Sequence, residues 1–162
     1  MSNSEQLEQV VRNAFPDAVD EASEVGGVAT LTVSADAIAG ICAFLRDDPA
    51  ARFDYLMSLT AVDWTDRFEV VYHLYSIPMK HYLTLKVKTD RDNPVVPSVC
   101  TVWKAADWQE REVYDMFGIR FEGHRHLARI LLEDDWEGFP LRKDYAADSA
   151  VSGPSDTSDA TG

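Results

Sequence analysis

Residues 107–121 read D-W-Q-E-R-E-V-Y-D-M-F-G-I-R-F, with six charged and four aromatic side chains. The spacing predicts a short helix. Glu110, Val113, Tyr114 and Phe117 recur at i, i+3, i+4 and i+7 and so share one face. That face is apolar apart from one carboxylate. An unpaired buried carboxylate costs several kcal/mol, so Glu110 is expected to meet a cation or hydrogen-bonding neighbours. Arg111 stands four residues from both Asp107 and Asp115, the spacing of helical ion pairs. Asp107 is placed to cap the helix, and Gly118 to end it, because glycine accepts the left-handed C-cap conformation. Carboxylates in such a helix serve either acid-base chemistry or a docking surface for a partner's arginines.

Upstream, residues 4–15 predict a first helix with Leu7, Val10, Val11 and Ala14 on one stripe, stopped by Pro16. Residues 19–25 and 28–33 read as strands joined by a Gly26-Gly27 hairpin turn. Ser34 is placed to cap a second helix reaching Asp47, with Ile38, Ile41, Cys42 and Leu45 inward. A strand over 55–63 follows. Residues 68–77 alternate, with Phe68, Val70, Tyr72 and Leu74 on one face; residues 82–88 turn Leu83, Leu85 and Val87 inward and Thr84, Lys86 and Lys88 outward. This is the pattern of an antiparallel meander with one wet face. Residues 89–97, T-D-R-D-N-P-V-V-P, read as a loop, after which Ser98 caps a short helix to residue 104. The expected class is α+β, an antiparallel β-sheet with helices packed on one face.

Downstream the period fails, apart from a short strand expected over 128–132. The expected organisation is an α+β domain over 1–122, an extended C-terminal strap over 123–145 that docks on a partner and a disordered tail over 146–162, rich in Ala, Ser, Asp, Thr and Gly. Within the strap, Trp136, Phe139, Leu141 and Tyr145 stand among charges, and residues 140–145 read P-L-R-K-D-Y. Aromatic and arginine anchors at this density belong to an interface or to a strap closing on its own core.

The chain has 162 residues, 46% of them hydrophobic, ample for the core of one domain. A net charge of -13 argues against bare nucleic acid, whose phosphates repel such a surface, and suits either simple solubility or a basic protein partner. The polar start, M-S-N-S-E-Q-L-E, lacks a signal peptide's basic and apolar regions, and no apolar run reaches a membrane span, so a cytoplasmic location is expected. Cys42 and Cys100 are far apart in apolar contexts and are too few for a four-cysteine zinc or iron–sulfur site. No glycine-rich phosphate loop and no G-x-S-x-G occurs. One catalytic reading stays open, a small metal-dependent hydrolase using Glu110, His124 and His126. Its weakness is that Glu110 and Glu112 project about 200 degrees apart on a helix and cannot ligate one ion.

The string W-K-A-A-D-W-Q-E-R-E-V-Y-D-M-F-G-I-R-F-E-G-H, then L-A-R-I-L-L, then D-D-W-E-G-F-P-L-R-K-D-Y, resembles the 30 kDa (C) subunit family of NADH-quinone oxidoreductase, respiratory complex I. Upstream, L-T-A-V-D-W and the order of elements are similar too. The resemblance implies a non-catalytic peripheral-arm subunit of an assembly that carries electrons from NADH through FMN and Fe–S clusters to quinone, coupled to proton translocation. It implies no cofactor in this chain, an unfused form, and a peripheral position on the cytoplasmic face of the inner membrane. The implied partners are the quinone-site (D) subunit and the cluster-bearing B and I subunits. Residues expected to serve that interface or its support are Glu110, Arg111, Glu112, Tyr114, Asp115, Phe117, His124, Arg129, Trp136, Leu141, Arg142, Lys143 and Tyr145. Related subunits serve ferredoxin- or deazaflavin-linked dehydrogenases and membrane-bound hydrogenases, which the residues do not separate, since the electron donor binds elsewhere.

Overall fold

The structure, a computed structural model, describes residues 2–145. The expected tail lies outside them. Helix α1 (Asn3–Ala14) starts at Ser2, whose hydroxyl accepts from the Glu5 amide while the Glu5 side chain accepts from the Ser2 amide. Strands β1 (Val19–Val25) and β2 (Val28–Val33) form the predicted hairpin. A single 3-10 turn (Ala35–Ala37) leads into α2 (Ile38–Asp47), and Ser34 makes no side-chain cap there. The meander follows as β3 (Tyr55–Asp63), β4 (Arg67–Ser76) and β5 (His81–Asp90), antiparallel throughout.

The fold is α+β, with one correction to the sheet. Its order is β1-β2-β5-β4-β3, and β2 pairs with β5 in parallel, so the sheet is mixed rather than antiparallel. The connection explains this. Helix α2 returns the chain to the end of the sheet where β2 began, so β3 runs the way β2 runs. Two tight reversals then bring β5 into the same direction.

Two further differences lie before and within the last helical region. Residues 95–97, expected as loop, form β6 (Val95–Pro97), which pairs in parallel with β7 (Arg120–Glu122). The partner comes from more than twenty residues downstream, so no local pattern announced it, and Pro97 is tolerated at the strand's end. No helix forms over 98–104, only a turn: the Val99 amide donates to Glu110 and Ser98 Oγ accepts from the Cys100 amide. Helix α3 (Ala105–Phe117) lies between β6 and β7.

The core lies between the sheet and the helices. Ile38, Ile41, Cys42 and Leu45 of α2 are fully buried with Phe68, Val70, Tyr72 and Leu74 of β4 and Leu83, Leu85 and Val87 of β5, as the alternation predicted. Each large side chain so buried contributes about 1.5–3 kcal/mol. The opposite face of the sheet is open. It runs from a cross-strand row of Tyr55, Tyr75 and Tyr82 to charged pairs such as Lys88 with Glu21 at 3.4 Å.

Residues 123–145 do not extend away from the domain, and no strand forms over 128–132. They run in turns along α3 and back to the ends of β3 and β4. The amides of Ile130, Leu131, Leu132 and Lys143 are satisfied by carboxylates of the domain instead of by a neighbouring strand, and that of Leu141 by the Met116 carbonyl.

Candidate interaction surface

Helix α3 begins two residues before Asp107. Its N-cap, Lys104, has helical dihedrals and makes no side-chain cap, so Asp107 sits in the first turn, where a carboxylate suits the helix dipole. The carboxylate and carbonyl of Asp107 both meet His124 Nε2, at 3.1 and 3.0 Å. His124 Nδ1 accepts from the His126 amide at 3.0 Å, which leaves the proton on Nε2.

Ala106, Glu110, Val113 and Phe117 are buried on one face, and Tyr114 is half-buried beside them. Glu110 is fully buried. Its carboxylate accepts from the Ser98 hydroxyl at 2.6 Å and from the Val99 amide at 2.8 Å. Burial pushes its pKa up, and these two hydrogen bonds offset only part of that. The expected partner of Glu110 is therefore a pair of neutral donors, one of them a backbone group that sequence reading does not see.

Asp115 is also fully buried, on the side of α3 that faces the strap. One oxygen accepts from the consecutive amides of Ile130, Leu131 and Leu132 at 3.2, 2.7 and 3.0 Å; the other accepts from Arg129 Nη1 at 2.8 Å. Burial alone raises its pKa, but the amides and the guanidinium outweigh burial and hold it below the ordinary range. The predicted Arg111 ion pairs are absent, because His124 and Arg129 take the two carboxylates. Arg111 instead donates to the Ala128 carbonyl at 3.2 Å and lies over the Trp108 ring. Glu112 accepts from Trp108 Nε1 at 3.2 Å.

A second carboxylate, Asp63 at the end of β3, holds the far end of the strap. It is bridged by both terminal nitrogens of Arg91 and accepts from the amides of Thr65 and Lys143, each at 2.7 Å. The Arg91 hydrogen bond, reinforced by the two amides, holds Asp63 far below the usual carboxylate range despite its burial. Between these anchors runs a ladder of cations and rings. Arg91 and Arg142 lie over Phe68, and Arg142 and Arg129 lie over Phe139, with separations of 4.8–5.1 Å. Arg142 Nε also donates to the Phe117 carbonyl at 2.6 Å. Gly118 makes the approach fit: its φ is +79°, and a Cβ there would lie 2.6 Å from the Phe139 ring.

Of the predicted residues, Glu110, Asp115, Phe117, His124, Arg129 and Arg142 converge on α3 or the strap's underside. Arg142 faces inward. Lys143 contributes its amide, while the residue itself is exposed. Trp136 and Tyr145 are half-buried, with Trp136 Nε1 and Tyr145 Oη enclosed and unpartnered within the described residues. Leu141 is 55% exposed. Sequence reading missed Asp63, Arg91, Ser98, Phe68 and Gly118 as parts of this arrangement. The signal for Asp63 was L-T-A-V-D-W, a strand ending on a carboxylate.

The hydrolase geometry does not form. Glu110 points to Ser98, both nitrogens of His124 are occupied and His126 is exposed. Among the described residues, no three His, Cys, Asp or Glu side chains are grouped to hold a metal.

Comparison with known proteins decides the family. Residues 31–151 match the model described as "Respiratory-chain NADH dehydrogenase, 30 Kd subunit". The chain belongs to that family. The NADH-quinone oxidoreductase C subunit of Roseiflexus sp. (strain RS-1) is 46% identical over 147 residues, covering 89% of this chain and 84% of the relative. The corresponding C subunit of Roseiflexus castenholzii is 48% identical over 134 residues, covering 81% and 77%. Among solved structures, the trypsin-resistant fragment of Nqo5 has a TM-score of 0.61 at 28% identity, covering 75% of this chain and 99% of the fragment. A chain of the membrane-bound sulfane sulfur reductase, an archaeal respiratory membrane complex, has a TM-score of 0.77 at 26% identity, covering 98% of each. The family thus lends its fold to multi-subunit respiratory assemblies. Among the described residues, no helix is long and apolar enough to cross a membrane.

Proposed function

We propose that this chain is a non-catalytic scaffold subunit in the peripheral arm of a proton-translocating NADH-quinone oxidoreductase. Electrons there pass from NADH through FMN and Fe–S clusters of other subunits to quinone. One observation carries the scaffold reading: Glu110, Asp115, Asp63 and His124 all have their hydrogen bonds to this chain's own groups. The side chains best suited to acid-base chemistry are committed to holding α3 and the strap. Cys42 is buried, which pushes its thiol up and disfavours the thiolate that a cluster requires. The quinone-site (D) subunit and the cluster-bearing B and I subunits are the proposed partners, on the cytoplasmic face of the inner membrane. Trp136, Leu141, Lys143 and Tyr145, together with Arg111 and Glu112 on α3, supply the outer surface of that contact.

The likeness to the sulfane sulfur reductase chain favours a second reading, the same scaffold in a different respiratory membrane complex; the ferredoxin- or deazaflavin-linked dehydrogenases and membrane-bound hydrogenases belong to this reading through the family resemblance alone. Identity of 46% to a quinone-linked relative against 26% ranks it second. The test is to remove the chain from its host and follow quinone reductase activity with NADH beside recovery of the complex on a native gel. Both should fall together and return on re-expression. Normal recovery with lost turnover per complex would make the chain part of the catalytic machinery.

A further inference from the structure

A groove of about 390 Å³ lies between β3 and α3. Leu59 and Ala61 form one wall, Val113 and Met116 the other, and Leu131 and Leu141 of the strap its lip. Both leucines are more than half exposed, as is Trp108 on the neighbouring turn of α3. Solvated apolar clusters of this kind mark contact sites.

Its chemistry selects the occupant. The charged residue lining it is Glu112, and Glu133, Asp134 and Asp135 follow directly after the lip residue Leu131 and its neighbour. None of these four carboxylates has a cation within ion-pair distance among the described residues. Residues 146–162 of this chain carry three aspartates, no Lys or Arg and no large apolar residue beyond Val151. They would meet repulsion and bury little. A second copy would bring the same acidic rim and a further net charge of -13. An added β-strand is disfavoured as well, because the outward Leu59 amide already donates to Gln109 Oε1 at 2.6 Å.

We propose that this groove receives an amphipathic helix of a neighbouring subunit, its apolar face flanked by Lys or Arg. The proposal rests on the scaffold reading above and adds the site and the chemistry of its occupant. The side chains of Leu131, Leu141 and Trp108 meet the helix's apolar stripe, and the acidic rim sets its orientation.

The test places benzoylphenylalanine at position 131 or 141 in cells making the whole complex, which is isolated by a tag on this chain and irradiated. The expected product is a cross-link to a partner peptide with apolar residues at helical spacing and adjacent Lys or Arg. Glu112→Lys combined with Glu133→Lys should lower its yield roughly tenfold, whereas Val25→Glu at the end of β1 should not. A cross-link to residues 146–162, to a second copy or to an acidic segment overturns the proposal. So does a chain that co-purifies with the redox subunits yet cross-links from neither position, and the scaffold reading then stands. A chain that fails to co-purify sinks both.

Discussion

The Lys143 amide donates to the Asp63 carboxylate across 2.7 Å, although 80 positions of chain separate them. The same carboxylate neutralises Arg91, which is mostly buried. Asp63→Ala should therefore destabilise the protein by about 3 kcal/mol in urea unfolding, since the guanidinium keeps only the exposed carboxylate of Asp144, at 3.2 Å, as its counter-charge. Amide exchange over 139–145 should rise at the same time. Unchanged protection there would mean that Asp63 is not the anchor of the strap.

Gly118→Ala combines two costs. At φ +79° an alanine carries about 1–2 kcal/mol of left-handed strain, and its methyl would meet Phe139 and Arg142 at 2.6 and 2.8 Å. Gly123→Ala is the control, with φ +90° and nothing within 4 Å of the new atom. Thermal unfolding should show the larger loss at position 118, together with increased exposure of the strap's aromatic residues. Equal losses at both positions would remove the steric role assigned to Gly118.

Acid should release the strap. Asp63 and Asp115 are both held below the ordinary 3.8 of an aspartate. The unfolded chain therefore takes up protons first as pH falls, so the stabilisation is complete above that value and is lost as pH drops through the folded-state values. Exchange protection of residues 129–145 should persist at about pH 5 and decline below 3.8, ahead of β4 and β5. In Asp115→Asn the acid-dependent part of this loss should shrink. Release that waits for the sheet to melt would show that these carboxylates do not control docking.

Glu110 titrates in the opposite sense. Burial raises its pKa above 4.5, so its ionisation costs stability as pH rises through that region. Truncation is nevertheless worse than ionisation. Glu110→Ala would leave the Ser98 hydroxyl and Val99 amide unpaired in the core, at about 1–3 kcal/mol for each. We expect a loss near 3 kcal/mol in total, and poor recovery of the complex with normal turnover in whatever assembles. A stable variant with inactive complexes would point to chemistry at Glu110.

Local periodicity and turn chemistry carried much of the fold. Bounds for β1, β2 and β3 match the expected strands and the Gly26-Gly27 turn, and the buried faces of α2, β4 and β5 are those their spacing predicted. These features depend on neighbours within a few residues, which a sequence displays directly. The motif around Glu110 also carried the family, later matched over residues 31–151. What only tertiary structure decided was pairing at long range. The parallel join of β2 to β5 depends on where α2 delivers the chain, and β6 exists because β7 lies beside it. Asp115 took backbone amides and the distant Arg129 over the helical partner Arg111 that spacing offered, and Asp63, at a strand end, likewise took the Lys143 amide and Arg91. A buried carboxylate takes whichever donors the fold brings to it, because desolvation outweighs the tenths of a kcal/mol available from a solvated helical pair.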